Sequence, residues 1–172
     1  MLEWRNTESV RKWMYNKEVI DLESHLRFIK GLSQRDDRYY WLVFDNQNNP
    51  VGTLNVTDVD RNSDRAELGL YMNPASEIMG YFFVRECYNF FFNVLDINHL
   101  YCSVAPGNTS AMLLDQFFGC VFSKEKYVED GGVKELYLVS DNLTKEEFNG
   151  KNNRSFRDYI TFVKQNNQKR IN

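Results

Sequence analysis

The stretch that decides the fold of this 172-residue chain is RAELGLYMNP, residues 65–74. Successive side chains of a strand point to opposite faces, so Ala66, Leu68 and Leu70 share one face while Glu67 and Tyr71 share the other. The first set is apolar, and the second carries a carboxylate and a phenol. The pattern predicts a strand over residues 65–71 that packs on a core with one face and presents chemical groups on the other.

The segments around this strand predict the rest of a sheet. β-Branched and aromatic residues flank the turn-forming sequence DNQNNP at 45–50, which is typical of an antiparallel hairpin, and the Asp-Gly step at 130–131 favours a second hairpin. We predict six strands, at residues 39–44, 51–58, 65–71, 100–104, 120–127 and 133–139. The first three follow one another as a meander.

Three helices are predicted between these strands. Residues 21–32 have apolar residues at helical spacing behind the capping residue Asp21, and residues 78–95 are apolar almost all round, which indicates a buried central helix. The third helix is predicted over residues 109–118, with Asn108 or Thr109 as its N-cap and Gly119 at its end. The order of elements predicts a mixed, mostly antiparallel α/β sheet with helices on both faces. We expect one domain over residues 1–142 and a peripheral, partly helical polar extension over residues 143–172.

Composition limits the class of partner. The chain has 21 basic and 24 acidic residues, a net charge of -3, which gives no general attraction to nucleic acid. Its three cysteines lack metal or redox spacing and are expected to be buried thiols in a reducing compartment. Without a leader or a run of ~18 apolar residues, the expected location is cytoplasmic and no membrane or metal is implied. A small-molecule substrate is the remaining expectation.

Several short motifs carry a family resemblance. They are WRN at 4–6, KWMY at 12–15, SHLRFI at 24–29, ELGLYMNP at 67–74, and Asn108 at the start of the late helix. With the order of elements, they make the chain similar to the GNAT family of N-acetyltransferases. The resemblance implies a sheet splayed between its two central strands, acetyl-CoA as cofactor and transfer of acetyl to a primary amine. A homodimer is a further expectation.

One branch of the family shares most of these motifs. It acetylates the 4-amino group of a UDP-linked dideoxy amino sugar in the synthesis of pseudaminic acid for flagellin glycosylation. Branches that acetylate protein amino termini or other small amines share some of them, and that acceptor class is the first alternative.

The resemblance also implies roles for individual residues. Glu67, His25 and Asp115 are the candidates for proton transfer. The residues expected to bind the cofactor are Leu70, Tyr71, Met72, Ile78, Met79, Gly80, Tyr81 and Asn108. Those expected to bind the substrate are Arg5, Met14, Tyr15, His25, Phe28, Thr57 and Tyr71.

Some candidates have an equally simple structural explanation. Glu67 could instead be exposed to solvent or form an ion pair with Arg65 or Arg85, and Arg5 could pair with Glu3 or Glu8 rather than with phosphate. His25 could be a core histidine. Asn108 could act only as a helix cap.

Two features depart from the family pattern. In the loop that opens the central helix, Ile78 stands where most relatives carry a glycine that lets backbone N–H groups approach the CoA pyrophosphate, and Glu77 adds a negative charge beside that site. Asp115 occupies the position of the tyrosine that usually protonates the leaving thiolate, and a carboxylate with a pKa near ~4 is ionised at neutral pH. These departures make a non-catalytic member of the family the second alternative.

Overall fold

The computed structural model describes residues 1–169, and all six predicted strands are present among them. The elements are α1 Leu2–Asn6, α2 Glu8–Arg11, α3 Leu22–Leu32, β1 Tyr39–Phe44, β2 Pro50–Asp60, β3 Arg65–Met72, α4 Gly80–Asn89, a π-helical turn Phe90–Val94, β4 His99–Val104, α5 Thr109–Phe118, β5 Lys124–Asp130, β6 Val133–Thr144, α6 Lys145–Lys151 and α7 Phe156–Lys169. The short helices α1 and α2 were not predicted, because four or five residues carry too little periodicity to be recognised.

The six strands form one sheet in the order β1-β2-β3-β4-β6-β5. Neighbouring strands are antiparallel except for the central pair β3 and β4, which are parallel only as far as Leu68 and Cys102. Beyond that point Gly69–Met72 pair with β2 alone, and Ser103 and Val104 pair with β6 alone. The two central strands therefore separate into a V-shaped opening, called the fork below. The predicted splayed sheet is confirmed.

One face of the sheet, the core face, is covered by α4 to α7. Ala66, Leu68 and Leu100 are buried there in one cluster with the aromatic rings of these helices. Close packing depends on Gly52, because a Cβ at that position would lie 2.5 Å from Cζ of Phe83 on α4. The apolar alternation that identified β3 thus describes the face on which the central helix packs.

The opposite face, the fork face, carries polar and aromatic groups beneath α1 to α3. Glu67, Gly69 and Tyr71 of β3 lie beside Thr57, Asn55 and Thr53 of β2 in the strand register. A Cβ at Gly69 would lie 2.6 Å from the side-chain amide of Asn55, so the glycine makes room for that amide.

The C-terminal segment is not peripheral, and that prediction is wrong. Phe148 of α6 is fully buried, and Phe156, Tyr159 and Phe162 pack against the main core. The Arg154 guanidinium lies 3.8 Å from the centroid of the Phe117 ring. A segment of mostly polar composition can still form a packed helix, because one apolar stripe is enough for the helix to pack against the core.

Other differences from the predictions concern the positions of single elements. The central helix begins at Gly80 and ends in a π-helical turn, so Ile78 precedes it. The amphipathic helix α3 forms, with Asp21 accepting from the Ser24 N–H, but none of its residues is buried. β5 begins at Lys124, later than expected. Within residues 1–169, no helix is both long and apolar enough to cross a bilayer.

Candidate active site at the fork

The carboxylate of Glu67 is the centre of a polar cluster where β3 and β4 part. Its side chain is 8% exposed. Oε1 accepts hydrogen bonds from the Tyr15 hydroxyl at 2.5 Å and from the Ser103 hydroxyl at 2.9 Å. Nζ of Lys126 lies 3.5 Å from the other oxygen, Oε2. The expected alternatives, an ion pair with Arg65 or Arg85 or exposure to solvent, are both wrong.

Four separate parts of the chain bring this cluster together. Glu67 is one residue short of the last β3–β4 pair, and Ser103 is the first residue of β4 beyond it, so their hydrogen bond bridges the fork. Tyr15 comes from the segment between α2 and α3, which packs on the loop before α5 through Trp13 and Gly107. Lys126 reaches across from the edge strand β5.

Tyr15 is a neutral donor in this cluster. Burial raises the pKa of Tyr15 well above its usual range, and the hydrogen bond to Glu67 raises it further. The Lys126 ammonium lies 4.9 Å from the centroid of the Tyr15 ring, close enough for a cation–π interaction. The cluster thus holds one carboxylate, one cation and two hydroxyl donors.

Sequence reasoning identified Glu67 and Tyr15 but missed Ser103 and Lys126. The alternation of polar and buried residues in β4 would have placed Ser103 on the fork face with Tyr101. No local pattern indicated Lys126. It is 59 positions from Glu67 in the sequence, and β4 and β6 lie between their strands in the sheet.

The open edge of β3 and the start of α4 lie where acetyl-CoA was expected to bind. Beyond Leu68 the edge of β3 that contains Leu70, Tyr71 and Met72 makes no ladder with β4. Within residues 1–169, the backbone N–H groups of Met79, Gly80 and Tyr81 have no acceptor. An extended edge pairs with amides such as those of pantetheine, and free N–H groups at a helix N-terminus bind phosphate. These residues therefore fit acetyl-CoA.

The departures in the preceding loop are compatible with this fit. The Ile78 N–H donates to the Ser76 hydroxyl at 3.2 Å, so this group is already used within the loop. Ile78 packs its side chain against the core. Glu77 is exposed.

Asp115 lies on the core face, away from the fork cluster. It accepts a hydrogen bond from the Tyr88 hydroxyl at 2.7 Å, and both residues are buried beside Cys120. Burial raises the pKa of Asp115 to about 7, while the bond from Tyr88 acts in the opposite direction. Asn108 caps α5 by accepting from the Ala111 N–H at 3.3 Å. For both residues a structural role is visible, and a catalytic or cofactor role stays a prediction.

The guanidinium of Arg5 lies near β3 and has a hydrogen-bond donor that no described residue accepts. Its Nη2 donates to the carbonyl of Asn16, while Nη1 is buried and has no hydrogen-bond partner in the part of the chain that the structure describes. Burial lowers the pKa of Arg5, and Tyr71 is close enough to act against that shift. Among residues 1–169 no ion pair joins Arg5 to Glu3 or Glu8, and Glu8 pairs with Arg11 instead.

The remaining candidates are more dispersed. Thr57 is the cross-strand neighbour of Glu67, and the carbonyl of Met14 accepts from the Tyr137 hydroxyl at 3.0 Å.

His25 and Phe28 lie on α3, where the Phe28 ring packs edge-to-face on the Tyr40 ring of β1, with 5.2 Å between ring centroids. No hydrogen bond or ion pair joins His25 to Glu67 within the described chain. The structure thus gathers Tyr15, Thr57 and Glu67, and their roles remain predictions.

The fold and this site define the class of protein. Residues 1–114 match the acetyltransferase (GNAT) domain. The chain belongs to the GNAT family and is an acetyl-CoA-dependent N-acetyltransferase, as the sequence motifs predicted.

Comparison with individual proteins narrows the relationship. The chain is 32% identical to the acetyltransferase PseH of Campylobacter jejuni over 116 residues. This alignment covers 67% of this chain and 71% of that protein. The crystal structure of Campylobacter jejuni PseH in complex with acetyl coenzyme A aligns with a TM-score of 0.60 at 24% identity, covering 83% of this chain and 88% of that one. The spermidine N-acetyltransferase of Vibrio cholerae, in complex with CoA and spermine, gives a TM-score of 0.72 at 14% identity and covers 86% and 89%.

Proposed function

We propose that this protein acetylates the 4-amino group of a nucleotide-linked amino sugar. The observation that carries the proposal is the 32% identity to PseH over 116 residues. The spermidine acetyltransferase has the higher TM-score but only 14% identity, a likeness that supports the fold alone. Arg5 adds a physical argument, because its buried free donor near Tyr71 suits a phosphate oxygen of a nucleotide.

The chemistry proposed at the fork is direct transfer. When bound, acetyl-CoA would supply an activated acetyl thioester: the amine would bond to the carbonyl carbon, the carbon–sulfur bond would break, and CoA would leave as its thiolate. The open edge of β3 positions that thioester and offers N–H groups to the carbonyl oxygen. Glu67 accepts the proton that the acceptor ammonium must lose to become the attacking amine, either directly or through one water.

The geometry of Glu67 supports this role for one carboxylate oxygen in particular. Oε1 is occupied by the hydroxyls of Tyr15 and Ser103, so Oε2 is the oxygen available to an amine. These two donors also fix the carboxylate in one orientation. A fixed acceptor beside an extended binding edge is what a direct transfer in a ternary complex requires.

An acceptor panel tests the proposal. Purified protein and acetyl-CoA are incubated with a UDP-linked 4-amino-4,6-dideoxy sugar, with spermidine and with a peptide that has a free amino terminus, and thiol release is followed. We expect the sugar nucleotide to give the highest kcat/KM. Thiol release with spermidine or the peptide but not with the sugar would contradict the proposal, and release with none would favour a non-catalytic member.

A variant of Arg5 tests how the nucleotide is bound. Arg5→Ala should raise KM for the UDP-linked sugar about tenfold, the equivalent of one charge-assisted hydrogen bond, and leave KM for acetyl-CoA unchanged. Arg27→Ala, on the exposed face of α3, is the matched control. An unchanged KM in Arg5→Ala would show that the phosphates bind elsewhere.

A further inference from the structure

Lys126 is the one component of the fork cluster that carries a positive charge. Its Nζ lies 3.5 Å from Oε2 of Glu67, 3.5 Å from the Tyr15 hydroxyl and 4.9 Å from the centroid of the Tyr15 ring. Its side chain is 39% exposed, so the ammonium remains in contact with solvent. The residue lies on β5, beyond the 1–114 match to the family domain.

Lys126 lies beside the position that the acceptor amine would take in the proposed reaction. Because Oε1 already accepts two hydrogen bonds, Oε2 is the atom that an incoming ammonium would approach. Lys126 already occupies one side of that atom. Any acceptor must therefore place its amine within a few ångströms of the Lys126 ammonium.

The charge of the acceptor then decides how strongly it is repelled. Like charges brought close together in a partly desolvated site raise the free energy of the complex, and they also favour the neutral form of the amine. A polyamine brings additional cations, while Glu67 is already paired with Lys126, and Glu135, a second carboxylate close to Tyr137, is already paired with Lys17. An amine linked to phosphates brings negative charge that a lysine tolerates or attracts.

We propose that Lys126 determines acceptor specificity: its ammonium beside Oε2 of Glu67 excludes polycationic amines and admits an amine whose remainder is neutral or anionic. This rests on the proposed acceptor site at Glu67. It gives a physical reason why a chain with the fold of a spermidine acetyltransferase would use a different acceptor.

Binding measurements test the inference independently of turnover. The dissociation constants of spermidine and of the UDP-linked amino sugar are measured by calorimetry in the presence of CoA, which cannot transfer acetyl. In Lys126→Gln we expect spermidine to bind about tenfold more tightly than in the wild type, with no gain for the sugar nucleotide. Lys126→Arg keeps the charge and should keep the discrimination.

The matched control is Lys124→Gln. Lys124 lies two residues earlier on the same face of β5 and pairs with Asp141 instead of Glu67, so its removal should change neither dissociation constant. A Lys126→Gln protein that still does not bind spermidine, or that gains equally for both amines, would overturn the inference. If spermidine binding tightens but the sugar nucleotide is never acetylated, the specificity role stands and only the proposed acceptor fails.

Discussion

Two buried carboxylates lie on opposite faces of the same sheet, and their surroundings are opposite in kind. Glu67 on the fork face has two hydroxyl donors, a cation and an opening between strands beside it. Asp115 on the core face has one donor, Tyr88, and is sealed among aromatic rings and thiols. Burial alone therefore does not identify a catalytic acid or base. The opening beside Glu67 is what makes it, rather than Asp115, the candidate.

Replacing Glu67 gives the largest effect expected from this comparison. Glu67→Gln keeps an oxygen that can accept from Tyr15 and Ser103, but it removes the proton acceptor, so kcat/KM should fall about 10²- to 10⁴-fold. Thiol release measures the loss, and thermal unfolding checks that the fold is retained. Glu125→Gln, an exposed substitution on β5, is the control. A loss below threefold would place the proton acceptor elsewhere.

Asp115 should instead affect stability, with a defined dependence on pH. Its pKa is raised from 3.8 to about 7 in the folded protein, so between these values the unfolded chain releases a proton that the folded chain retains. Stability is therefore highest below pH 4 as far as this group is concerned, and it falls as the pH rises towards 7.

Asp115→Asn removes this titration. The difference in free energy of unfolding between the variant and the wild type should grow in favour of the variant by about 2 kcal/mol from pH 5 to pH 8. Turnover at pH 7 should stay within threefold of the wild type. Urea unfolding at the two pH values measures the gain. An equal difference at both would show that the carboxyl titrates normally, and a large loss of turnover would restore it as a catalytic candidate.

The two tyrosine donors provide the smallest and most direct contrast. Tyr15→Phe should lower kcat about tenfold with little change in stability, because Glu67 loses one of its orienting hydrogen bonds. Tyr88→Phe leaves Asp115 without its donor in the core, so it should cost about 1–3 kcal/mol of stability and leave kcat nearly unchanged. Parallel kinetics and urea unfolding separate the two, and a reversed outcome would show that the two faces had been assigned wrongly.

Sequence reasoning worked where the signal was local. The alternation in β3 separated the core face from the fork face, and the polar turns placed the hairpins, because both follow from neighbouring residues. The family motifs then predicted the opening between the central strands. Asp21 and Asn108 were recognised as caps from residue type and position alone.

It failed where partners are distant in sequence or where composition misleads. The contact between Lys126 and Glu67 depends on the order of four strands, which no local pattern contains. Motif position made Asp115 a candidate acid, while the packing that seals it beside Tyr88 is visible only in three dimensions. The polar tail concealed Phe148 and Phe156, whose burial depends on a surface formed by α4 and α5.

The packing of this tail has a consequence for the order in which the protein becomes functional during synthesis. The Tyr81 hydroxyl donates to the carbonyl of Arg154, and the Tyr81 ring stacks on Tyr159 at 5.5 Å. The first turn of α4, whose N–H groups fit the cofactor phosphates, is therefore held by contacts with residues that are translated more than seventy positions later. A nascent chain that has emerged only through residue 114, the end of the family match, has the fork strands but not the support of this turn.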